Sequence, residues 1–448
     1  MNEEECMSFL GRFVEEFPAP LEEDAALPVS PLSCKVSREE LQGESLEMGL
    51  KVLATRGSPT VLSALLCQVA LSQLQQDDLS PFNCPQAAEV NQGEEQVPLC
   101  FLVFYHYRLL VLESAAVQHV FLNKLINTAL IWYQNLPKTP SAPSVFLRCS
   151  VHAIKNKRRK MEDKHVALAE FNQLFGIQDE LQRAYYAVFD GHGGADAAIY
   201  AATHLHVALG RQESLQSDAA TALKTAFKHT DDMFKVKAKR EHLRSGTTGV
   251  AALICGQELT VAWLGDCQAI LVRKGQVVTL MDPHKPDRED EKQRIEDLGG
   301  CVTFMGCWRV NGTYAVSRAI GDFDQKPYVS GDADCSVTHL YGDEDYILLA
   351  CDGFFDSVKP SEVPNLVLDA LQHPNDSTEN CLSKELEDDY GSKVAQHLVC
   401  HAKASGSTDN ITVVLVFLRP PEQLLVKINA AGMVCEKQSS RSQDELQQ

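Results

Sequence analysis

Apolar residues recur at two spacings along this chain, and the change of spacing divides it. Over roughly the first 135 residues they come at helical intervals, in MSFLGRFVEEF (7–17), SLEMGLKVLA (45–54) and TVLSALLCQVALSQL (60–74). Pro18, Pro28, Pro31, Pro59 and Pro81 interrupt them, which predicts several short helices. The stretch 104–135 keeps helical spacing and predicts one more. The most apolar run, VPLCFLVFYHY (97–107), is too short to span a bilayer and reads as a buried helix or hairpin. QNLPKTPSAPS (134–144) carries three prolines and reads as a linker.

From about 145 to 418 the texture changes. Short continuous apolar runs dominate: YYAVF, GVAALIC, ELTVAWL, QAILVR, QVVTL, DYILLAC and NITVVLVFL. Turn pairs at Gly256-Gln257 and Lys274-Gly275 join some of them as hairpins. Helical spacing returns at 194–209, 217–240, 287–298, 360–372 and 391–404. Clustered strands with helices grouped between them predict an α+β sandwich of mostly antiparallel sheets, not a doubly wound parallel sheet. Three regions follow: 1–140, acidic and mainly helical; 141–419, the sandwich; and 420–448, a polar tail that reads as disordered.

Several strands end on acids. YYAVF runs into Asp190, followed by Gly191, His192, Gly193 and Gly194. ELTVAWLGD places Asp266 just past a strand, DYILLACDGFFD does the same with Asp352, and Asp409 stands at the entrance to NITVVLVFL. One strand-end Asp-Gly is ordinary turn chemistry. Four in one domain bring like charges to one edge if the strands lie side by side, and the cluster then needs cations or protons. Oxygen ligands suit Mg²⁺ or Mn²⁺, and the glycines let backbone carbonyls such as that of Gly191 come close.

Composition narrows the reading. Of 448 residues, 44% are hydrophobic and 23% charged, as in a globular protein, and the formal net charge is −20. That balance argues against nucleic acid or an anionic membrane as partner. Residues 1–100 hold 17 Asp and Glu against 5 Lys and Arg. Against this background IKNKRRKMEDKHVAL (154–168) stands out: a dense basic run leading into Glu162 and Asp163, suited to an arginine that grips an anion beside acids at a metal. Fifteen cysteines without a CxxC pair fit reduced thiols in the cytosol or nucleus. The start, MNEEEC, is acidic where a secretory leader needs a basic region.

An ordered set of motifs then resembles one family. R-x-x-M-E-D at Arg158–Asp163, FDGHGG (189–194), SGTTG (245–249), GD (265–266), AVSRAIGD (315–322), CDGFFD (351–356) and DNIT (409–412) follow the order of the metal-dependent, type 2C protein serine/threonine phosphatases. FNQLFG, KAKRE, MGCWRVNGTYAVSRAIGD and QKPYVSG further resemble the subgroup of calcium/calmodulin-dependent protein kinase phosphatases, partners of the PIX exchange factors.

The resemblance implies two antiparallel sheets flanked by helices, a four-layer α/β/β/α sandwich, with a dinuclear Mg²⁺ or Mn²⁺ site at one end. It implies that Asp190 bridges both ions, that Asp352 and Asp409 complete one, and that Glu162 and the Gly191 carbonyl bind the other. Asp163 would orient the attacking water, Arg158 would hold the substrate phosphate and His192 would protonate the leaving oxygen. Asp266, with Asp356, resembles a weaker third metal position. His204 and His206 read as packing or surface residues. Cys267-Gln268 departs from the common Ser-Arg, and Phe355 stands where Trp is frequent; neither is a primary ligand. The implied substrates are phosphorylated protein kinases, of calcium/calmodulin-dependent and PAK type, with PIX-type exchange factors binding the N-terminal region. A non-catalytic kinase-binding scaffold and another dinuclear metallohydrolase are the alternatives.

Overall fold

The computed structural model describes residues 2–84, 111–138, 146–373, 391 and 393–425. The apolar run 97–107, most of the linker and the tail beyond 425 lie outside them. The described residues form two compact units, one of Met1–Pro143 with Glu170–Gln182, the other of Ser144–Ala169 with Arg183–Gln448. This differs from a single cut near residue 140, because thirteen residues from inside the phosphatase-like stretch belong to the first unit.

Among the described residues the longer helices of the first unit are Glu3–Glu16, Arg38–Ala54, Thr60–Leu74 and Ser114–Gln134. Phe9, Phe13, Leu46, Leu62, Leu66, Phe121 and Leu125 make its core. Ser37 and Glu40 form a capping box at the start of the second helix: each side chain takes the other's backbone N–H, at 3.3 and 2.8 Å. One expectation fails here. Val111–Glu113 (β2) is not helix but pairs antiparallel with Lys35–Ser37 (β1). Helical spacing in the residues that follow masks a strand only three residues long.

The inserted Glu170–Gln182 carries a short helix, Phe171–Phe175, that packs on Thr60–Leu74. Phe171 and Leu174 are fully buried there, and Thr60 Oγ1 donates to Glu170 Oε1 at 2.6 Å.

The second unit is built on two antiparallel sheets. One has the order β13 (Asp334–His339), β7 (Glu258–Leu264), β6 (Gly246–Cys255), β5 (Arg183–His192), β4 (Lys164–Leu168), with the two-residue β12 (Ile320–Gly321) also paired to β6. The other runs β3 (Arg148–Ile154), β15 (Ile411–Phe417), β14 (Glu344–Ala350), β8 (Gln268–Arg273), β9 (Gln276–Thr279).

Alternate residues explain the unbroken apolar runs. Tyr186, Val188, Val250, Ala252, Ile347, Leu349, Val414 and Val416 face the space between the sheets. Their neighbours Leu348, Ala350, Val413 and Leu415 pack outward with residues of the helices Val363–Gln372 and Val394–Ala404. On the far side the helices Asp196–Gly210 and Ala219–Glu241 cover the first sheet. Both faces of each sheet are covered, so strict apolar-polar alternation is lost and the four-layer sandwich results.

A separate small core of Ile295, Val310, Ala319 and Val329 supports the segment leading to β12. It is tied down by ions. Glu291, 1% exposed, accepts from Arg318 Nη2 at 2.6 Å and Arg294 Nη2 at 2.9 Å. The same Nη2 of Arg294 also lies 3.0 and 3.1 Å from the Ser317 and Tyr328 carbonyls. Burial alone would raise the Glu291 carboxyl, but Arg318 and then Arg294 outweigh it and hold it at about 2.

Two predictions follow from this packing. The Glu291 contribution is full above the usual 4.5 and is lost as the pH falls toward 2. Glu291→Gln is therefore expected to lower stability at pH 7 by roughly 3 kcal/mol, as removal of one partner of a buried pair does. In thermal melts that deficit should narrow below pH 4. Second, a fragment starting at residue 144 keeps Phe171 and Leu174 but lacks the helix 60–74 they pack on. It should aggregate in size-exclusion runs, and replacing both residues with Ser should restore a monodisperse peak.

Candidate active site

Antiparallel pairing sets which strand ends share an edge. β4 enters where β5 leaves, with Lys164 opposite Phe189. β5 leaves beside the start of β6, with Asp190 opposite Thr248. β7 also exits there, Leu264 facing Gly249. In the second sheet β14 exits where β15 enters, Ala350 opposite Val413. The acids at these ends, Glu162, Asp190, Asp266, Asp352 and Asp409, consequently line one cavity of about 770 Å³. Arg158, Arg159, Lys160, Gly191, His192 and Arg309 line it as well. The sequence-predicted site residues therefore converge, except that Asp163 lies just beneath the surface, 2% exposed.

Two glycines allow this convergence. A Cβ on Gly191 would stand 2.5 Å from the Glu162 carbonyl oxygen, and one on Gly353 would stand 2.0 Å from that of Asn410. Asn410 staples the basic loop to β15. Its Oδ1 accepts from the Glu162 N–H at 2.8 Å, and its Nδ2 donates to the carbonyls of Lys155 and Lys160 at 2.9 and 3.0 Å. Thr412 Oγ1 donates to Asp163 Oδ2 at 2.7 Å, while the other oxygen of Asp163 is buried with no hydrogen-bond partner. Arg158 Nη2 donates to Asp409 Oδ2 at 2.5 Å, its side chain otherwise 60% exposed.

The electrostatics follow from crowding like charges. Burial, and then the charges of Asp352, Asp163 and Asp266, push the Asp190 carboxyl well up. Burial first and Asp352 next raise Asp266 to about 7. Asp163 is lifted by burial to about 6, and burial raises Asp352 too. Carboxylates raised together in this way want a compensating cation.

Ligand atoms of Asp163, Asp190 and Cys351 all lie within 4.8 Å of one another. Burial and the surrounding acids drive the Cys351 thiol far up, so the site offers hard oxygen donors, which fits Mg²⁺ or Mn²⁺. Cys267 is equally buried and raised, and its Sγ lies 3.2 Å from Thr248 Oγ1. Neither thiol is poised as a nucleophile. Phe355 packs against Phe354 in the core.

His192 has a partner that motif order alone did not single out. Its Nε2 lies 2.6 Å from Asp322 Oδ2, and that side chain is 1% exposed. Burial pulls the His192 pKa down, but the Asp322 hydrogen bond and charge outweigh it, and the net shift is upward. Gly246 makes the contact possible. It faces His192 across β5 and Gly321 across β12, and a Cβ there would come within 2.5 Å of the Asp322 carboxylate. Asp322 stood inside AVSRAIGD, and its φ of +49° is uncommon for a residue other than glycine. His204 and His206 are buried in the helix Asp196–Gly210, where desolvation lowers both pKa values; they pack. Asp356 is exposed and close enough to raise Asp266 slightly.

Residues 147–411 match the sequence model of the family described as Protein phosphatase 2C. The chain belongs to that family of metal-dependent serine/threonine protein phosphatases. Within it the chain groups with the 1F and 1E phosphatases, the calcium/calmodulin-dependent kinase phosphatase subgroup. It is 49% identical over 421 residues to Protein phosphatase 1F of Rattus norvegicus, covering 94% of this chain and 89% of the relative. Protein phosphatase 1E of Mus musculus is 48% identical over 389 residues, 87% of this chain and 48% of that protein. A solved C. elegans sex determining protein shares the fold, with a TM-score of 0.66 at 22% identity over 93% of this chain and 96% of the other.

The crowding at Asp190 yields a test that needs no turnover. A carboxyl raised in the folded state destabilises it above the usual carboxylate range. Asp190→Asn should therefore raise the Tm of chelator-treated protein by roughly 2–4 °C, the shift for ~1 kcal/mol in a domain of this size. Added Mn²⁺ should raise the wild-type Tm and leave that of the variant nearly unchanged.

Proposed function

We propose that this phosphatase uses two divalent ions, Mg²⁺ or Mn²⁺, held by Asp190, Asp352, Asp409, Glu162 and the Gly191 carbonyl, with a weaker third position at Asp266. The observation that carries this is the convergence of these groups on one cavity, with an unpartnered oxygen of Asp163 buried behind it. When bound, such ions lower the pKa of water and offset charge on a phosphoryl group.

The chain's own residues do the rest. Arg158 lines the cavity with its side chain 60% exposed and Nη2 paired to Asp409, and its remaining guanidinium N–H groups suit phosphate oxygens. Asp163, fixed by Thr412 on one oxygen, offers the other to the attacking water. Attack forms the new P–O bond as the ester P–O bond breaks, and the serine or threonine oxygen leaves needing a proton. His192 supplies it, oriented by Asp322 at Nε2, which leaves Nδ1 for the leaving oxygen. The cysteines take no part.

Phosphorylated protein kinases, of calcium/calmodulin-dependent and PAK type, are the substrates we propose. PIX-type exchange factors are proposed to bind the first unit. The subgroup relationship and the acidic balance of residues 1–100 support this. Among the described residues no helix is long and apolar enough to cross a membrane. The unpaired cysteines among them fit work in the cytosol or nucleus.

Kinetics separate the roles. With a phosphothreonine peptide and Mn²⁺, Arg158→Ala should raise KM about tenfold or more. Asp322→Asn and His192→Gln should each lower kcat by roughly 10²-fold, and both should do much less to an aryl phosphate, whose phenolate leaves unprotonated. Equal losses on the two substrates would contradict the proton-donor role. Parallel assays on phosphorylated kinase domains of the two types test the substrate proposal.

A further inference from the structure

Behind His192 and Asp322 lies a second pair of opposite charges that the chemistry does not use. Asp231 is buried inside the helix Ala219–Glu241. Lys326 stands in the turn that follows Asp322. Its Nζ donates to Asp231 Oδ2 at 3.0 Å and to the Ala319 carbonyl at 2.7 Å. The other oxygen of Asp231 accepts the Gly321 N–H at 2.8 Å. Burial lowers the Lys326 pKa, and the Asp231 charge and hydrogen bond oppose that shift. A buried ion pair adds little stability over an apolar pair of the same size, so its placement needs another reason.

The reason lies in the backbone it holds. β12 is two residues long, with Ile320 opposite Thr247 and Gly321 opposite Gly246, and it runs directly into Asp322. Asp322 takes a φ of +49°, and Gly321 one of +88°. A Cβ on Gly321 would stand 2.4 Å from the Ser245 carbonyl oxygen. Two ladder positions are a weak hold on a backbone in this uncommon region. The charged pair strengthens it. Asp231 takes the Gly321 N–H and Lys326 takes the Ala319 carbonyl, so the peptide groups on both sides of Ile320 are gripped. The Gln325 N–H donates to the Asp322 carbonyl at 2.9 Å and closes the turn that brings Lys326 back. Gly331 leaves the room: a Cβ there would stand 2.2 Å from Asp231 Oδ2 and 2.8 Å from Lys326 Nζ.

We infer that Asp231 and Lys326 are positioning residues for the proton donor, setting β12 so that Asp322 Oδ2 meets His192 Nε2. The inference rests on the reading of His192 as proton donor in a phosphatase. Neither residue lines the cavity, so neither meets the phosphate. Their action passes through the Gly321 backbone to Asp322, and from Asp322 to the imidazole at 2.6 Å. A shift of β12 by about an ångström turns the ring away from the leaving oxygen, and misplacement of that size costs up to about 10²-fold in rate. The loss falls on substrates whose leaving oxygen needs a proton.

Two double variants test this with Mn²⁺ present. The first, Asp231→Leu with Lys326→Met, removes both backbone contacts and both charges, so no charge is left buried alone. The second, Asp231→Asn with Lys326→Met, keeps an acceptor for the Gly321 N–H. On a phosphothreonine peptide the first should lower kcat about 30-fold and the second about fivefold, with KM within about twofold for each. Turnover of p-nitrophenyl phosphate, whose phenolate leaves unprotonated, should drop less than about threefold, and Mn²⁺ should raise the Tm of each variant as it does for wild type. The deciding measurement repeats both variants in a His192→Gln background. With the donor gone there is nothing left to position, and peptide kcat should fall by no more than about a further twofold. The full loss recurring in that background overturns the inference, as do equal losses on peptide and aryl phosphate or an unchanged peptide kcat in the first variant. If the first variant fails to fold, the second decides the matter by whether its own loss recurs without His192. Equal losses on the two substrates in His192→Gln alone overturn the proton-donor reading and the inference with it, while the phosphatase reading stands.

Discussion

Carboxylates buried together repel one another more strongly than they would in water, and a fold that gathers several at one edge must supply protons or cations to keep them. Asp190, Asp163, Asp266 and Asp352 are in that position, each raised by burial and by its neighbours. The rest of the second unit can be understood as the apparatus that holds them there. Two sheets covered on both faces supply enough apolar burial to offset the repulsion. Their antiparallel order returns every relevant strand end to the same edge.

Holding the acids is not enough, because a metal or phosphate site needs its groups fixed to fractions of an ångström. That precision comes from residues that do no chemistry. Asn410 makes three hydrogen bonds to the basic loop and so sets Arg158 and Glu162 against Asp409. Gly191 and Gly353 remove the side chains that would keep backbone segments apart. The Glu291–Arg318–Arg294 cluster anchors the chain entering β12, and β12 presents Asp322 to His192. Each support lies on a different strand or helix, and each ends at the same edge.

Much of this was legible in the sequence because strand ends are local. A run such as Tyr185–Phe189 ending on Asp190 announces an acid at a sheet edge, and antiparallel order carries Asp266, Asp352 and Asp409 to the same place. Asp322 was not legible in that way. Its meaning depends on a two-residue strand and on the empty space at Gly246, neither of which leaves a periodic trace. The insertion Glu170–Gln182 was hidden for another reason: Phe171 and Leu174 announce burial but not which core receives them. β2 was read as helix because three residues are too few for a period of two to declare itself.

The cavity also shows why reaction and selection need separate parts. In the proposed function the acids, His192 and Arg158 serve a phosphate ester, a group common to every phosphorylated serine or threonine, and do not tell one polypeptide from another. Discrimination has to come from contacts outside the reacting centre. Such contacts must border the cavity, yet be able to change without disturbing the acids. The sheet edge cannot meet both conditions, because its residues are locked into both cores and into one another's charge. The rim outside that edge is under neither constraint: Arg309 and Thr313 line the cavity from a segment that rests on its own small core.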